Sequence, residues 1–241
     1  MIESSLLIDK SLKISKEEML NDYYLINESR NLSLIGRKEV FMGRAKFGVF
    51  GDGKELPQIA MSKFFKNGDF RSGYYRDQTF MMAIDQLNAN QFFAQLYAHT
   101  DINFDPHSGG RQMNNHFGTR MLNSSGKWKT LTDMKNSASD ISCVSGQMPR
   151  IVGLGYASKL YRENKDLGKM HNFSINGNEV IFGTIGDAST SEGHFWESIN
   201  ACGVLQLPVV MSIWDDGYGI SVPSEYHTTR NDLSKVLSGF Q

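Results

Sequence analysis

Apolar and polar segments alternate along the second half of the chain in a pattern that predicts strands and helices in turn. A nearly continuous apolar run at 179–185 predicts a buried strand, and Val209–Trp214 predicts a second one directly after Pro208. The segment between them, 191–205, predicts a helix. Strands that alternate with helices are typical of an α/β fold, so we predict a mainly parallel sheet with helices on both faces.

The first half of the chain predicts mainly helices. Residues 16–46 predict an N-terminal helical arm, and 51–54 carry the glycines of a turn. A helix is expected from about Glu55. Apolar residues at helical spacing predict one long helix over 77–98.

A long segment without a sustained period, 99–140, separates these helices from the rest. Loops of this length are usually functional or disordered. An apolar strand is expected at 141–144. Pro149 suits the first turn of a helix that runs to about Asn164.

These elements divide the chain into an N-terminal helical arm, 1–46, and an α/β domain, 47–241. The sequence predicts that another helix begins just before residue 241, so we expect the sheet to be incomplete at its C-terminal end. The small residues of the helix that starts at Pro149 suggest a face for packing against another subunit.

Composition narrows the possible functions. The chain has 241 residues, 40% of them hydrophobic, and a net charge of −1 with no basic block. We therefore expect no nucleic-acid partner. No long apolar window or basic leader is present, so we expect no membrane span and a cytoplasmic protein. Cys143 and Cys202 are expected to be buried free thiols.

Two aspartates follow the two predicted strands directly. Asp187 comes after the first and Asp216 after the second, 29 positions later, which is the length of one helical crossover. If the strands are parallel neighbours, their ends lie about 4.8 Å apart. Both carboxylates then project from the edge where open α/β sheets bind ligands. Such a pair suits Mg²⁺, which takes one or two carboxylates and completes its shell with phosphate and water oxygens.

The neighbours of Asp187 favour an anion at the same place. Gly186 and Ala188 are small enough to let a phosphate approach the backbone, and a helix is expected to begin at Ser189. Gly-Asp and Asp-Asp-Gly are each common turn sequences when found alone. Their occurrence at two successive strand ends is what favours the metal site.

The residues 186–193 and 214–221 together resemble the thiamine-diphosphate motif, a Gly-Asp-Gly followed after one crossover by Asn-Asn. Three more segments, 74–77, 110–118 and 142–149, are similar to the α-type part of the decarboxylating dehydrogenase component of 2-oxo-acid dehydrogenase complexes. The branched-chain (2-oxoisovalerate) kind is the most similar.

This resemblance implies a thiamine-diphosphate-binding fold and a reaction. The reaction is oxidative decarboxylation of a 2-oxo acid, preferably a branched-chain one, on thiamine diphosphate, with acyl transfer to a lipoyl group. The implied partners are a β-type part, either a separate subunit or downstream in a fused chain, and a lipoyl acyltransferase core. An oligomer is expected.

The resemblance also implies roles for individual residues. Asp187 and Asp216 would bind Mg²⁺ through their side chains and Tyr218 through its carbonyl oxygen. His116 is the candidate catalytic residue, near the reacting centre. The candidate cofactor-binding residues are Tyr75, Arg76, Val144, Gly186, Asp187, Ala188, Ser189, Asp216 and Tyr218.

Simpler interpretations stay open for several of these side chains. Arg76 could cap a helix or pair with Asp77 instead of binding a diphosphate, and His116 could be solvated in a polar loop. The remaining histidines of interest, His99, His107 and His227, are interpreted as surface residues.

The sequence departs from the family pattern in two places. Asp215-Asp216 stands where Asn-Asn is usual, and the carboxylate of Asp216 adds a negative charge beside an anionic diphosphate, while Asn114 stands where Pro is usual. The glutamate that activates the aminopyrimidine belongs to the β-type part in this family and has no match here. Two alternatives therefore remain: a Mg²⁺-dependent phosphotransferase or phosphatase with Asp187 as nucleophile, and a non-catalytic cofactor-binding or assembly module.

Overall fold

A four-stranded parallel sheet runs through the centre of this computed structural model, which describes residues 14–229 and 232–240. The strands lie in the order β2-β1-β3-β4, and every neighbouring pair is parallel. The predicted α/β fold is confirmed. The strands are β1 (Phe70–Ser72), β2 (Asn136–Ser137), β3 (Ile181–Gly186) and β4 (Val209–Trp214).

Seven α-helices surround the sheet in the described part of the chain, and a two-stranded antiparallel hairpin follows β4. The helices are α1 (Lys16–Phe41), α2 (Glu55–Ser62), α3 (Gln78–Ala83), α4 (Ala89–Leu96), α5 (Gln147–Glu163), α6 (Gly193–Leu205) and α7 (Leu233–Leu237), and the hairpin strands are β5 (Tyr218–Gly219) and β6 (Val222–Pro223). None of the described helices is both long and apolar enough to span a bilayer.

The two faces of the sheet have separate apolar cores. On one face Phe182 of β3 packs edge-on against Phe65, in a cluster with Phe80 of α3. On the other face Ile185 packs with residues of α5 and α6, including Ile151 and Phe195. Alternate residues of β3 therefore point into different cores, and helices cover both faces as predicted.

The two strands predicted from apolar runs differ in burial. β3 is almost wholly buried, whereas Val210 of β4 is 43% exposed. The difference follows from position, because β4 is the edge strand of the sheet in the described residues.

The helix predicted over 77–98 is interrupted, so this prediction is wrong in part. α3 ends at Ala83, and Asp85 adopts a left-handed backbone with φ of 60°. Asn88 then begins α4 with a capping box. Its side chain accepts a hydrogen bond from the Gln91 N–H, and the Gln91 side chain accepts one from the Asn88 N–H. The local cap prevails over the apolar spacing because it satisfies N–H groups that a helix start leaves free.

The strand predicted at 141–144 is also wrong. These residues form a bend and turn that leads into α5, with Ser145 at φ of 58° and Val144 57% exposed. Both cysteines are free thiols, as expected. Cys143 is exposed and Cys202 is half-buried, so the expected burial of Cys143 is not found.

The predicted N-terminal arm contains α1, which ends at Phe41 rather than 46, while residues 1–13 of the arm lie outside the described residues. α1 is held to the domain by polar contacts. Arg30 donates two hydrogen bonds to Glu55 at 2.6 and 2.9 Å, and Ser29 shares one with Thr79 at 2.7 Å.

The small residues of α5 are partly used within the chain. A Cβ at Gly155 would meet Val209 and Leu207 at 3.0–3.1 Å, and Ser158 donates to the Glu179 carbonyl at 2.7 Å. Gly153 is exposed with open space beside it. The subunit interface expected on this helix stays a prediction.

Candidate functional site

The register of β3 and β4 brings the two candidate metal ligands to one edge of the sheet. Gly186 pairs with Trp214, so Asp187 and Asp216 follow the same end of adjacent parallel strands. Both line a cleft of ≈ 300 Å³. β3 and β4 are therefore parallel neighbours, as predicted from the sequence.

All nine candidate cofactor-binding residues line this cleft, although they come from four separate segments of the chain. The segments are the turn after β1, the loop before α5, the turn after β3 and the hairpin after β4. The remaining lining residues are Tyr74, Trp214, Gly219 and Ile220, which the sequence analysis did not assign a role. The assignment of the nine candidate residues as cofactor ligands stays a prediction.

Asp187 has a free coordination position. Its side chain is buried, and its Oδ2 has no hydrogen-bond partner among the described residues. Burial, followed by the charges of Asp216 and Asp215, raises the pKa of the Asp187 carboxyl above its usual value. A cation bound at Oδ2 would satisfy the oxygen and offset these charges, so the residue fits a metal ligand.

The donor set also fits the proposed ion. The described residues contain no group of three or more His, Cys, Asp and Glu side chains placed to hold a metal. Two carboxylates with a backbone carbonyl, completed by phosphate oxygens, is the arrangement that Mg²⁺ accepts and that Zn²⁺ does not favour.

Asp216 differs from Asp187 in having a cationic partner. Its Oδ2 lies 2.7 Å from Lys54 Nζ, and its Oδ1 accepts from the Tyr218 N–H at 3.3 Å. Burial opposes ionisation, but the hydrogen bond and charge of Lys54 hold the pKa of Asp216 below its usual value. The carboxylate is therefore ionised and oriented before any metal arrives.

The turn after Asp187 is shaped by local hydrogen bonds. Residues Ala188–Ser191 form a 3-10 turn, and α6 begins only at Gly193, so the helix start predicted at Ser189 is wrong by a few residues. Thr190 donates to the Asp187 carbonyl at 2.6 Å, and Ser145 donates to the Ser189 carbonyl at 2.5 Å. The second bond ties this turn to the loop that carries Val144.

Two glycines permit the close approach of the segments around the cleft. A Cβ at Gly219 would lie 2.7 Å from the Cβ of Ala188, which is closer than real Cβ contacts. A Cβ at Gly186 would meet the Tyr74 hydroxyl at 3.2 Å. Glycine at both positions therefore lets the segments that line the cleft pack closely against each other.

Arg76 is held by a backbone contact and an aromatic ring. Its Nη1 donates to the Phe50 carbonyl at 2.6 Å, and its guanidinium lies 5.1 Å from the centre of the Tyr75 ring. The alternative pairing with Asp77 is not observed, because that carboxylate binds Arg71 instead. Donor groups of Arg76 beyond Nη1 can still contact an anion in the cleft.

Asp77 is a structural residue that the sequence analysis missed. It is fully buried and accepts hydrogen bonds from Arg71 Nε at 2.7 Å and Thr184 Oγ1 at 2.5 Å. Arg71 is fully buried as well, and its remaining donors reach both oxygens of Asp140 at 3.0 Å. This network fastens the turn after β1 to β3 directly beneath the cleft.

His116 is buried and is not among the residues that line the cleft. It is 3% exposed, so the alternative of a solvated histidine is wrong. Its Nδ1 lies 3.2 Å from the Asn114 carbonyl, which can only accept, and this places the proton on Nδ1. In the neutral ring the Nε2 then accepts from the Ser142 hydroxyl at 3.0 Å. His116 does not line the cleft, and its partner Ser142 lies two residues before Val144, which does.

Of the three histidines expected at the surface, only His99 is exposed. His107 is largely buried, and burial lowers its pKa. His227 is half-buried, and its Nε2, which has no hydrogen-bond partner in the described residues, would lie 3.9 Å from a Cβ built at Gly219. A charge on His227 lowers the pKa of Asp187, although burial and the neighbouring acids raise it overall. Nothing in the local sequence marks His227, because its proximity depends on how the hairpin folds back.

Asn114, which replaces the usual Pro, has a structural explanation. Its side chain accepts from the Val49 N–H at 3.0 Å and donates to the Val49 carbonyl at 2.6 Å, and Asn115 donates to the same carbonyl at 2.9 Å. These bonds attach the segment of His116 to the chain before α2.

Comparison with known proteins finds relatives among the alpha subunits of 2-oxoisovalerate dehydrogenase. The alpha subunit of 2-oxoisovalerate dehydrogenase from Bacillus subtilis is 28% identical over 199 residues, which is 82% of this chain and 51% of that protein. The mitochondrial alpha subunit from Homo sapiens is 24% identical over 211 residues, 88% of this chain and 40% of that protein. The chain thus spans about half or less of the length of these relatives.

The family model described as "Dehydrogenase E1 component" matches residues 29–241, which include every lining residue of the cleft. This family depends on thiamine diphosphate. The resemblance to α-type, branched-chain components is confirmed by the relatives. The chain belongs to the dehydrogenase E1 component family.

Proposed function

We propose that this chain supplies the diphosphate- and Mg²⁺-binding half of a thiamine-diphosphate-dependent 2-oxo-acid dehydrogenase. The observation that supports it most is that all nine candidate residues line one cleft. One of them, Asp187, has a buried Oδ2 without a hydrogen-bond partner in the described residues. The reaction is oxidative decarboxylation of a 2-oxo acid, with a branched-chain substrate preferred, and transfer of the acyl group to a lipoyl group. The names of the relatives support the substrate class.

Each residue has a defined task in this proposal. Asp187, Asp216 and the Tyr218 carbonyl would hold Mg²⁺, an ion that commonly binds phosphate groups as well as carboxylates. Arg76 and Tyr75 would bind the diphosphate, and the backbone at Val144 would contact the aminopyrimidine. When bound, thiamine diphosphate supplies the carbanion that adds to the 2-oxo group and accepts the electrons of decarboxylation.

His116 is proposed to hold or move a proton near the reacting centre. Its Nε2 accepts from Ser142, so this hydroxyl can give its proton to Nε2 while its oxygen takes up another proton from a reacting group. The fixed orientation of the ring, set by the Asn114 carbonyl, keeps Nε2 as the acceptor.

The remaining catalytic groups are proposed to come from a β-type partner. No residue here matches the glutamate that activates the aminopyrimidine. A lipoyl acyltransferase core would accept the acyl group, in an oligomeric assembly in the cytoplasm.

The test is binding of thiamine diphosphate with Mg²⁺ by isothermal titration calorimetry, with the chain assembled with its β-type partner. We expect Asp187→Asn to abolish Mg²⁺-dependent binding, because an amide offers one neutral ligand in place of an anionic one. The matched control is Asp166→Asn, whose side chain is 92% exposed. Unchanged binding by the Asp187 variant would overturn the proposal.

The same preparation distinguishes the two alternatives. Hydrolysis of a generic phosphoester without thiamine diphosphate, lost in Asp187→Asn, would favour a phosphotransferase or phosphatase. Cofactor binding without any 2-oxo-acid decarboxylation in the presence of the β-type partner would favour a non-catalytic module.

A further inference from the structure

Lys54 contacts a proposed metal ligand from a distant part of the chain. Its Nζ lies 2.7 Å from Asp216 Oδ2, and its side chain is only 10% exposed. In the described part of the chain Asp216 is its one ion-pair partner. A lysine that is largely buried against a single carboxylate is oriented by that carboxylate, since an unpaired charge here would be costly.

The backbone at Lys54 is fixed from two directions. The Gly53 N–H donates to both oxygens of Glu55 at 3.1 and 3.0 Å, and Arg30 clamps the same carboxylate. The turn also packs on Arg76, because a Cβ at Gly51 would lie 2.6 Å from the Arg76 carbonyl. The turn that packs on Arg76 therefore also holds Lys54 against Asp216.

The charges around the cleft explain why a cation is needed at this position. Asp187, Asp215 and Asp216 place three acids at the ends of β3 and β4, and the buried Oδ2 of Asp187 has no hydrogen-bond partner among the described residues. A bound diphosphate would add further negative charge, and Mg²⁺ and Arg76 would compensate only part of the total. An amide at position 216 would remove one negative charge, and Lys54 has the same effect on the net charge.

We propose that Lys54 is a positioning residue that balances the charge of Asp216, so that a carboxylate can serve as a Mg²⁺ ligand beside the diphosphate. This inference rests on the proposed function. It assigns a role to a residue outside the thiamine-diphosphate motif, 162 positions away from the ligand that it pairs with.

The test is a double-mutant cycle of wild type, Lys54→Met, Asp216→Asn and the double variant. Binding of Mg²⁺ with thiamine diphosphate, and of Mg²⁺ with inorganic pyrophosphate, is measured by calorimetry with the β-type partner present. We expect Lys54→Met to weaken both affinities about tenfold or more, since it leaves Asp216 uncompensated. Asp216→Asn leaves Lys54 unpaired beside the cation and weakens them as well.

The double variant should recover most of the lost affinity, because it removes both charges together. Lys54→Arg should retain affinity, and Lys63→Met, which breaks an ion pair with Asp22 at the surface, should leave it unchanged. Thermal unfolding without ligand checks that all variants are folded. Additive losses in the double variant, or an unchanged Lys54→Met, would overturn the inference.

The outcomes separate this inference from the proposed function. Wild-type protein that binds the Mg²⁺ complexes, with no coupling between positions 54 and 216, contradicts only the role of Lys54. Wild-type protein that binds neither complex contradicts the proposed function and this inference with it.

Discussion

Trp214 donates its indole Nε1–H to Asp77 Oδ1 at 2.9 Å, and so joins the last residue of β4 to the turn after β1. The same carboxylate binds Thr184 of β3 through its other oxygen. Three strand ends are therefore fastened to one buried side chain. The relative positions of Arg76 and Asp216 across the cleft depend on this connection, because each lies within two residues of a bonded partner.

Replacing Asp77 should damage both stability and the cleft. Asp77→Asn leaves the fully buried Arg71 with one anion fewer, and breaking a buried pair of this kind costs about 3 kcal/mol or more. Urea unfolding should show the loss, with Asp85→Asn as control, since Asp85 is exposed at a left-handed φ that Asn tolerates. Equal stability of the two variants would contradict the proposed importance of the network.

A methyl group at Gly219 should narrow the cleft without unfolding the domain. Its Cβ would lie 2.7 Å from that of Ala188, so one of the two backbone segments must shift. Gly219→Ala should therefore weaken binding of the Mg²⁺–thiamine diphosphate complex while the thermal midpoint changes little. The control is Gly193→Ala, where the added Cβ meets nothing within 4 Å. Wild-type affinity in Gly219→Ala would show that the close approach is not needed.

The hydroxyl of Ser142 should affect kcat through its hydrogen bond to His116, the candidate catalytic residue. Ser142→Ala removes the hydrogen bond to His116 Nε2, and we expect kcat of the assembled enzyme to fall by about tenfold, with KM nearly unchanged and a shifted pH profile. Ser125→Ala is the control, because its hydroxyl contacts only the exposed Asn123 side chain in the described structure. A variant that changes KM alone, with an unaltered pH profile, would argue against a role in proton transfer.

His107 should make the stability of the domain depend on pH. Burial lowers the pKa of His107 in the folded state. Below the ordinary histidine pKa of about 6.5, the unfolded chain therefore takes up a proton that the folded chain does not. The stability that this histidine contributes is complete above that pH and is lost as the pH falls.

The measurement is the urea midpoint between pH 5.5 and 8. His107→Asn should show a shallower decline toward low pH than wild type, whereas His99→Asn, which changes an exposed side chain, should follow wild type. Parallel curves for wild type and His107→Asn would exclude this residue as the source of the dependence.

Two short buried strands, β1 and β2, are not predicted by the pattern of apolar residues in the sequence. β1 contains Arg71 and β2 contains Asn136, both fully buried, and neither strand is longer than three residues. Arg71 donates to Asp140, and the Asn136 amide nitrogen donates to the carbonyls of Leu131 and Asp69. Apolar periodicity cannot detect such strands, because their burial is stabilised by hydrogen bonds rather than by apolar side chains.

The sequence by itself determined the two apolar strands, the crossover between them and the placement of Asp187 and Asp216 at one edge of a parallel sheet. These features follow from local patterning and from a topology that allows few alternatives. Tertiary structure alone decided that Lys54 pairs with Asp216, that Asp77 joins three strands and that His116 is buried against Ser142. Those contacts bring together residues 26 to 162 positions apart. They depend on side-chain packing and charge compensation in three dimensions, which no local pattern encodes.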